Sequence, residues 1–202
     1  QPETYVFQIW SGWMRNLDKP ELQEPLLQTL AKSGCTESAH HWDPSPMKRF
    51  GLMNFNSWCI DCQPYLEQHP DHALIDAAGK SHFIPGNGRM NHVCPSLLLA
   101  DTPAWDFVAD AYHQWMQKSG VGNVNWDYES GVYDSYLSCY CSRCLDAFRA
   151  SAALAPETKL TPGMIRKSHS HAWMVFMNQR FADLCGRFRD EAHEATPPRT
   201  FS

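Results

Sequence analysis

The chain has no surplus of positive charge. Its formal net charge is −5, with 17 Lys and Arg against 22 Asp and Glu, and no basic patch stands out along it. That balance argues against a nucleic-acid or anionic-membrane partner, and neither is expected. Long apolar runs are missing too, so no segment has the length needed to span a bilayer, and no signal peptide opens the sequence. A mature chain would lack a leader as well, so the compartment stays open. His40 and His41 are adjacent and have no H-E-x-x-H-like spacing, which argues against a zinc hydrolase with metal at that pair. What the chain has instead is an apolar fraction of 43%, enough for one domain with a real core. Eight Trp, seven Tyr and ten Phe make it aromatic-rich. Flat aromatic faces suit sugar stacking, although a large aromatic core is their commoner use.

Read in order, the sequence alternates strand and helix signals. Residues 5–10, 35–42, 50–58 and 122–129 read as strands from their β-branched and aromatic content. Asp18, Pro20 and a Leu22, Leu26, Leu27 and Leu30 stripe predict a helix that ends near Gly34. Thr102 and Pro103 open a second helix, with Trp105, Val108, Ala109, Tyr112, Trp115 and Met116 at helical spacing. Leu145 and Phe148 mark a short helix broken by Pro156. Thr161 and Pro162 open a long one carrying Trp173, Phe176, Met177, Phe181, Leu184 and Phe188. Pro197 and Pro198 stop it, and residues 199–202 look like a fifth strand beginning. Residues 59–101 form a long excursion broken by Pro64, Pro70, Gly79, Pro85, Gly86 and Gly88, and a loop of that length is usually functional. The alternation predicts parallel βα units, hence an α/β fold of the (β/α) barrel type. About four such units fit in the chain, so the expectation is a single domain over 1–202 holding only the first half of a barrel. A missing segment or another chain would then complete it.

The stretch from Gly122 to Glu129 organises the functional reading. Alternate residues of a strand point to one face, so Asp127 and Glu129 are expected to share one pocket wall. Acids at the carboxyl end of a parallel barrel strand sit where active sites form. Glu37, His40, His41, Trp42, Asn54, Asn56 and Trp58 stand at the ends of the other strands. Together they would give the mixture of hydrogen-bonding groups and flat rings that binds a carbohydrate.

Eight cysteines complete the inventory. Cys139, Cys141 and Cys144 have C-x-C-x-x-C spacing, which can converge three thiolates on one tetrahedral metal and then needs a fourth donor. Cys94, Cys59 and Cys62 are the candidates. Disulfides are the rival in a secreted protein, but a C-x-C pair is too crowded to bridge within itself comfortably. Cys35 and Cys185 each sit alone among apolar residues and read as small buried hydrophobes.

Three elements together resemble glycoside hydrolase family 42, the zinc-bearing β-galactosidases, and related barrel glycosidases. They are Cys94-Pro95, the strand ending Trp126-Asp127-Tyr128-Glu129, and Cys139 to Cys144 leading into Phe148-Arg149. The likeness covers roughly residues 90 to 150. It implies a barrel glycosidase in which Glu129 is the general acid/base, with a structural zinc on Cys94, Cys139, Cys141 and Cys144. It also implies that the nucleophile comes from a later strand. The family places Asn directly before its acid/base glutamate, where this chain has Tyr128. Two other readings remain. Val124 to Glu129 faintly resembles the strand of substrate-assisted chitinases, with Asn125 where that pattern has Asp. A zinc-stabilised carbohydrate-binding or scaffold domain without catalysis would carry the same cysteines.

Overall fold

The computed structural model describes residues 8–9, 20–35, 37–39, 49, 53–57, 62–86, 91–120, 122–125 and 139–201. The chain divides into two compact units. One comprises Gln1–Trp58, His113–Asp127 and Glu191–Ser202, and the other Cys59–Tyr112 and Tyr128–Asp190.

The first unit is built on a parallel sheet. Its strands are β1 (Gln8–Ile9), β2 (Glu37–Ala39), β3 (Met53–Ser57), β4 (Asn123–Asn125) and β5 (Thr200–Phe201). They lie in sequence order, β1-β2-β3-β4-β5, and every neighbouring pair is parallel. Ser38 stands opposite Asn54, Asn56 opposite Val124, and Val124 in turn opposite Phe201. Each expected strand contains one described strand, and β5 falls where the fifth was expected to begin. Parallel neighbours need a crossover rather than a hairpin. Helix α1 (Pro20–Lys32) is part of the first such connection. Leu27 and Leu30 of α1 are buried with Cys35, which follows the helix. The turn between them is closed by Gly34 N–H to Ala31 O and Cys35 N–H to Leu30 O, both at 3.1 Å. Gly34 has φ +83°, a left-handed conformation that a side chain would strain.

The second unit is mostly helical. It contains α2 (Gln63–Leu66), a 3-10 turn at Pro70–His72, α3 (Pro95–Leu98), α5 (Ser142–Ser151) and α6 (Pro162–Ser168), with the larger parts of α4 (Pro103–Ser119) and α7 (Ser170–Glu194). Within the expected loop over 59–101, the described residues 62–86 and 91–101 carry short helices and ordered backbone bonds. Leu74 N–H donates to His92 O at 2.8 Å, His82 N–H to Leu74 O at 2.8 Å and His92 N–H to His82 O at 3.0 Å. These bonds satisfy backbone groups that would otherwise be costly to bury, and Leu74 and Val93 are accordingly buried.

Helix α4 begins as its sequence predicts. Thr102 Oγ1 accepts from Trp105 N–H at 3.4 Å, and Ala104, Trp105, Val108, Tyr112 and Met116 are buried along one stripe. The helix expected from Thr161 onward is two helices. The chain leaves helical geometry at His169, φ −135°, before α7 starts at Ser170. Ser168, His169 and Ser170 are weak helix formers, and Ser competes for backbone bonds, so the break has a local cause that the apolar stripe hides. Phe148, Leu160, Ile165, Trp173 and Met177 form one buried cluster. Phe188 packs 5.2 Å from the Trp105 ring and edge-on to Tyr112 at 5.3 Å. Arg187 stacks over Trp105 at 4.0 Å and pairs with Asp101 at 2.9 Å. Among the described residues no helix is long and apolar enough to cross a membrane.

Candidate metal centre

Local backbone geometry explains how three cysteines from one short motif come to face one point. Cys141 is extended, φ −67° and ψ 161°, and caps α5, while Cys144 falls in the first turn of that helix. Residues two apart in extended chain point the same way, so Cys139 and Cys141 aim together and Tyr140 aims elsewhere. Tyr140 is anchored on both counts. Its N–H donates to Ile75 O at 2.7 Å, and its ring stacks on Trp173 at 5.0 Å.

The fourth member arrives from far away in sequence. Cys94 caps α3, with Pro95 in the first turn, and its N–H donates to His72 O at 2.8 Å. Cys94 Sγ lies 3.3 Å from Cys141 Sγ and 3.5 Å from Cys144 Sγ. All four sulfurs, of Cys94, Cys139, Cys141 and Cys144, lie within 4.8 Å of one another. Sulfurs about 2.3 Å from a tetrahedral metal are about 3.8 Å from each other, so the spacing fits a tetrathiolate site. A disulfide would need about 2.05 Å, and all four are free thiols. Cys94, Cys139 and Cys144 are fully buried, while Cys141 is half-buried. Leu74 and Leu97 complete the apolar surround.

Packing four thiols together divides their protons unequally. Hydrogen bonds from Cys139, Cys141 and Cys144 drive Cys94 far below the usual thiol range. Contact with Cys139 lowers Cys141 to about 7. Cys139 is pushed up by hydrogen bonding to Cys141, Cys144 and Cys94. For Cys144 the Cys139 contact acts downward, but Cys141, Cys94 and burial outweigh it and the thiol is raised. The cluster thus already concentrates negative charge in a poorly solvated place, which a cation would relieve. This group could hold a metal ion. With all four positions taken by sulfur, such an ion would have no open coordination site for chemistry.

Sequence reasoning missed three residues around the cluster. Ser96 Oγ lies 3.1 Å from Cys144 Sγ, and Arg180 donates to that same hydroxyl at 2.7 Å. Arg143 donates to Asp71 O at 2.6 Å and its charge is attracted to Cys94 and Cys141. Burial acts against the Arg143 charge, but the influence of Cys94 and Cys141 outweighs that, leaving it more firmly protonated. A signal did exist for two of them. Ser96 stands two residues after Cys94, and Arg143 lies inside the cysteine motif.

The other nominated residues are placed less completely. Glu37 opens β2 opposite Met53, and Asn54 and Asn56 lie within β3. His40, His41, Trp42, Trp58, Asp127 and Glu129 lie outside the described residues, the last two shortly after the end of β4 in sequence. Cys59 is outside them as well, and the four-thiol group does not include Cys62. A cavity of about 180 Å³ in the first unit, lined by His113, Met116, Gln117, Glu194, Thr196 and Arg199 among others, contains none of the nominated sugar-binding residues.

No protein-family model matches the chain, and no curated protein does. Solved structures do resemble it. The β-galactosidase of the psychrophile Marinomonas ef1 is 13% identical with a TM-score of 0.57, over 98% of this chain and 36% of that one. The β-galactosidase of the Antarctic haloarchaeon Halorubrum lacusprofundi is 13% identical with a TM-score of 0.57, over 97% of this chain and 35% of that one. A catalytic mutant of a GH42 β-galactosidase from G. stearothermophilus is 12% identical with a TM-score of 0.52, over 97% and 34%. This chain therefore spans about a third of the length of these enzymes, and at such identities the likeness is one of fold: the parallel βα arrangement of barrel glycosidases.

Proposed function

We propose that this chain is the βα region of a glycoside hydrolase related to family 42, acting on a glycan, with a structural zinc at Cys94, Cys139, Cys141 and Cys144. The observation that carries the reading is the convergence of those four sulfurs within 4.8 Å. They are the four cysteines that the family resemblance assigns to zinc. Five parallel strands in sequence order are consistent with the opening of a (β/α) barrel. In this reading the zinc is held by thiolates alone and contributes folding free energy rather than Lewis acidity. It ties chain segments that precede and follow β4 in sequence.

The chemistry is assigned to the two carboxylates after β4. Glu129 is the general acid that protonates the leaving-group oxygen, and then the base that activates water. Asp127 is its neighbour and raises its pKa through like-charge repulsion. A retaining enzyme needs a second carboxylate about 5 Å away as nucleophile, which the family arrangement takes from a strand later than β5. Glu37, His40, His41, Trp42, Asn54, Asn56 and Trp58 bind the sugar in this assignment.

The test is Glu129→Gln, made in a protein carrying every strand carboxylate. Hydrolysis of glycosides with poor leaving groups should fall by about 10²–10⁴, and activated aryl glycosides should lose less. Unchanged cleavage of unactivated glycans would place the acid elsewhere.

A further inference from the structure

The thiol cluster is surrounded by more positive charge and more hydrogen-bond donors than burial alone would call for. Four thiolates around a divalent ion carry a formal charge of about −2. Three of the four sulfurs are fully buried, and a buried net charge is costly unless it is matched nearby. Two guanidinium groups stand at the cluster. Arg143 lies inside the cysteine motif, held to Asp71 O at 2.6 Å and attracted to Cys94 and Cys141, and Arg180 reaches Cys144 through Ser96. The donor sense of that second path follows from hydrogen-bond bookkeeping. Arg180 Nη2 donates to Ser96 Oγ at 2.7 Å, and a metal-bound Cys144 thiolate, with no proton of its own, can only accept from that hydroxyl, 3.1 Å away.

We infer that Ser96, Arg180 and Arg143 form an outer shell that offsets the charge of a tetrathiolate metal centre and damps the reactivity of its sulfurs, with Ser96 the donor to Cys144. The inference rests on the metal reading above and assigns positioning roles only. Its chemical consequence is slow metal release. A hydrogen bond to a coordinated thiolate lowers the electron density on sulfur, so the ligand is less readily protonated or captured by a competing electrophile.

The experiment compares wild type with Ser96→Ala, Ser96→Thr, Arg180→Met, Arg180→Lys and Arg143→Met. Zinc content, the rate of zinc transfer to a chromogenic chelator, and the sulfur-to-cobalt charge-transfer band of the Co(II)-substituted protein are measured. Ser96→Ala should retain one equivalent of zinc yet release it about 10–100-fold faster, and its cobalt band should move to lower energy. Ser96→Thr should restore both, Arg180→Lys should lie nearer wild type than Arg180→Met, and Arg143→Met should also speed release. A purely structural role for these residues would not move the cobalt band. Should an arginine variant fail to fold, Ser96→Ala, which removes one atom, still decides the matter. Wild-type zinc with unchanged release and spectrum in Ser96→Ala would overturn this inference and leave the metal reading standing. Wild-type protein that binds no metal would overturn the metal reading and this inference with it.

Discussion

Two stretches of this chain look alike on paper and differ in space. Cys59-x-x-Cys62 and Cys141-x-x-Cys144 share the spacing that suits zinc or redox chemistry, and in each a cysteine caps a helix, Cys62 before α2 and Cys141 before α5. Among the described residues the four-thiol group takes Cys141 and Cys144 and not Cys62, while Cys59 lies outside those residues. The difference lies outside the motif. Cys141 and Cys144 meet Cys139, delivered by the extended turn before the helix, and Cys94, brought in by the folded excursion between β3 and α4. Cys62 is buried, 3% exposed, at the start of the helix in which Tyr65 and Leu66 are buried. Spacing within a motif places two thiols, but a long-range partner makes the site.

Four changes test that contrast, from the largest expected effect downward. Cys144→Ser should abolish stoichiometric metal binding and lower stability by about 3 kcal/mol or more, since metal binding at such sites is folding energy. Metal analysis and thermal unfolding would read both. Phe148→Ala acts on the apolar side of the same helix, where Phe148 is fully buried and meets Trp173 edge-on at 4.9 Å. It should cost about 3–5 kcal/mol while the surviving folded protein keeps its metal, which would separate the core face of α5 from its cysteine face. Cys62→Ser should leave metal content unchanged and cost about 1–3 kcal/mol, from a hydroxyl placed in an apolar site. Loss of metal in that variant would erase the contrast between the two motifs. Smallest is Thr161→Ala, which removes the side chain that accepts from Met164 N–H at 3.2 Å and caps α6. It should cost about 1 kcal/mol, read as a drop of about 2–4 °C in Tm, with no change in metal.

Acidity offers a further handle on the cysteine site. Each thiolate that binds metal must be deprotonated, so protons and metal compete. Metal should be retained at neutral pH and released as the pH falls, with no corresponding loss on the alkaline side of neutrality.

The helices and strand order were legible because their signals are local. Thr102 with Pro103, Thr161 with Pro162, and Leu27 with Leu30 ahead of Gly34 each mark an end or a face that the structure repeats. The parallel order followed from alternation of strand and helix, since such units leave few other topologies. The break at His169 was hidden because the apolar stripe runs on at helical spacing across it. The internal order of the excursion's described residues was not legible, because it comes from backbone bonds among His82, His92 and Leu74 that leave no periodic pattern. The grouping of the four cysteines was legible through the family resemblance, and the role of Arg180 beside them was not. An arginine far along the chain from Ser96 gives no sequence sign that it will bond its hydroxyl.

The most direct test of the account is the metal content and thiol state of the purified protein, measured together by elemental analysis and by thiol titration under denaturing conditions. The account predicts one zinc per chain, with Cys94, Cys139, Cys141 and Cys144 recovered as thiols once the metal is chelated. Less than half an equivalent of any metal, with these cysteines recovered as oxidised pairs, would contradict it.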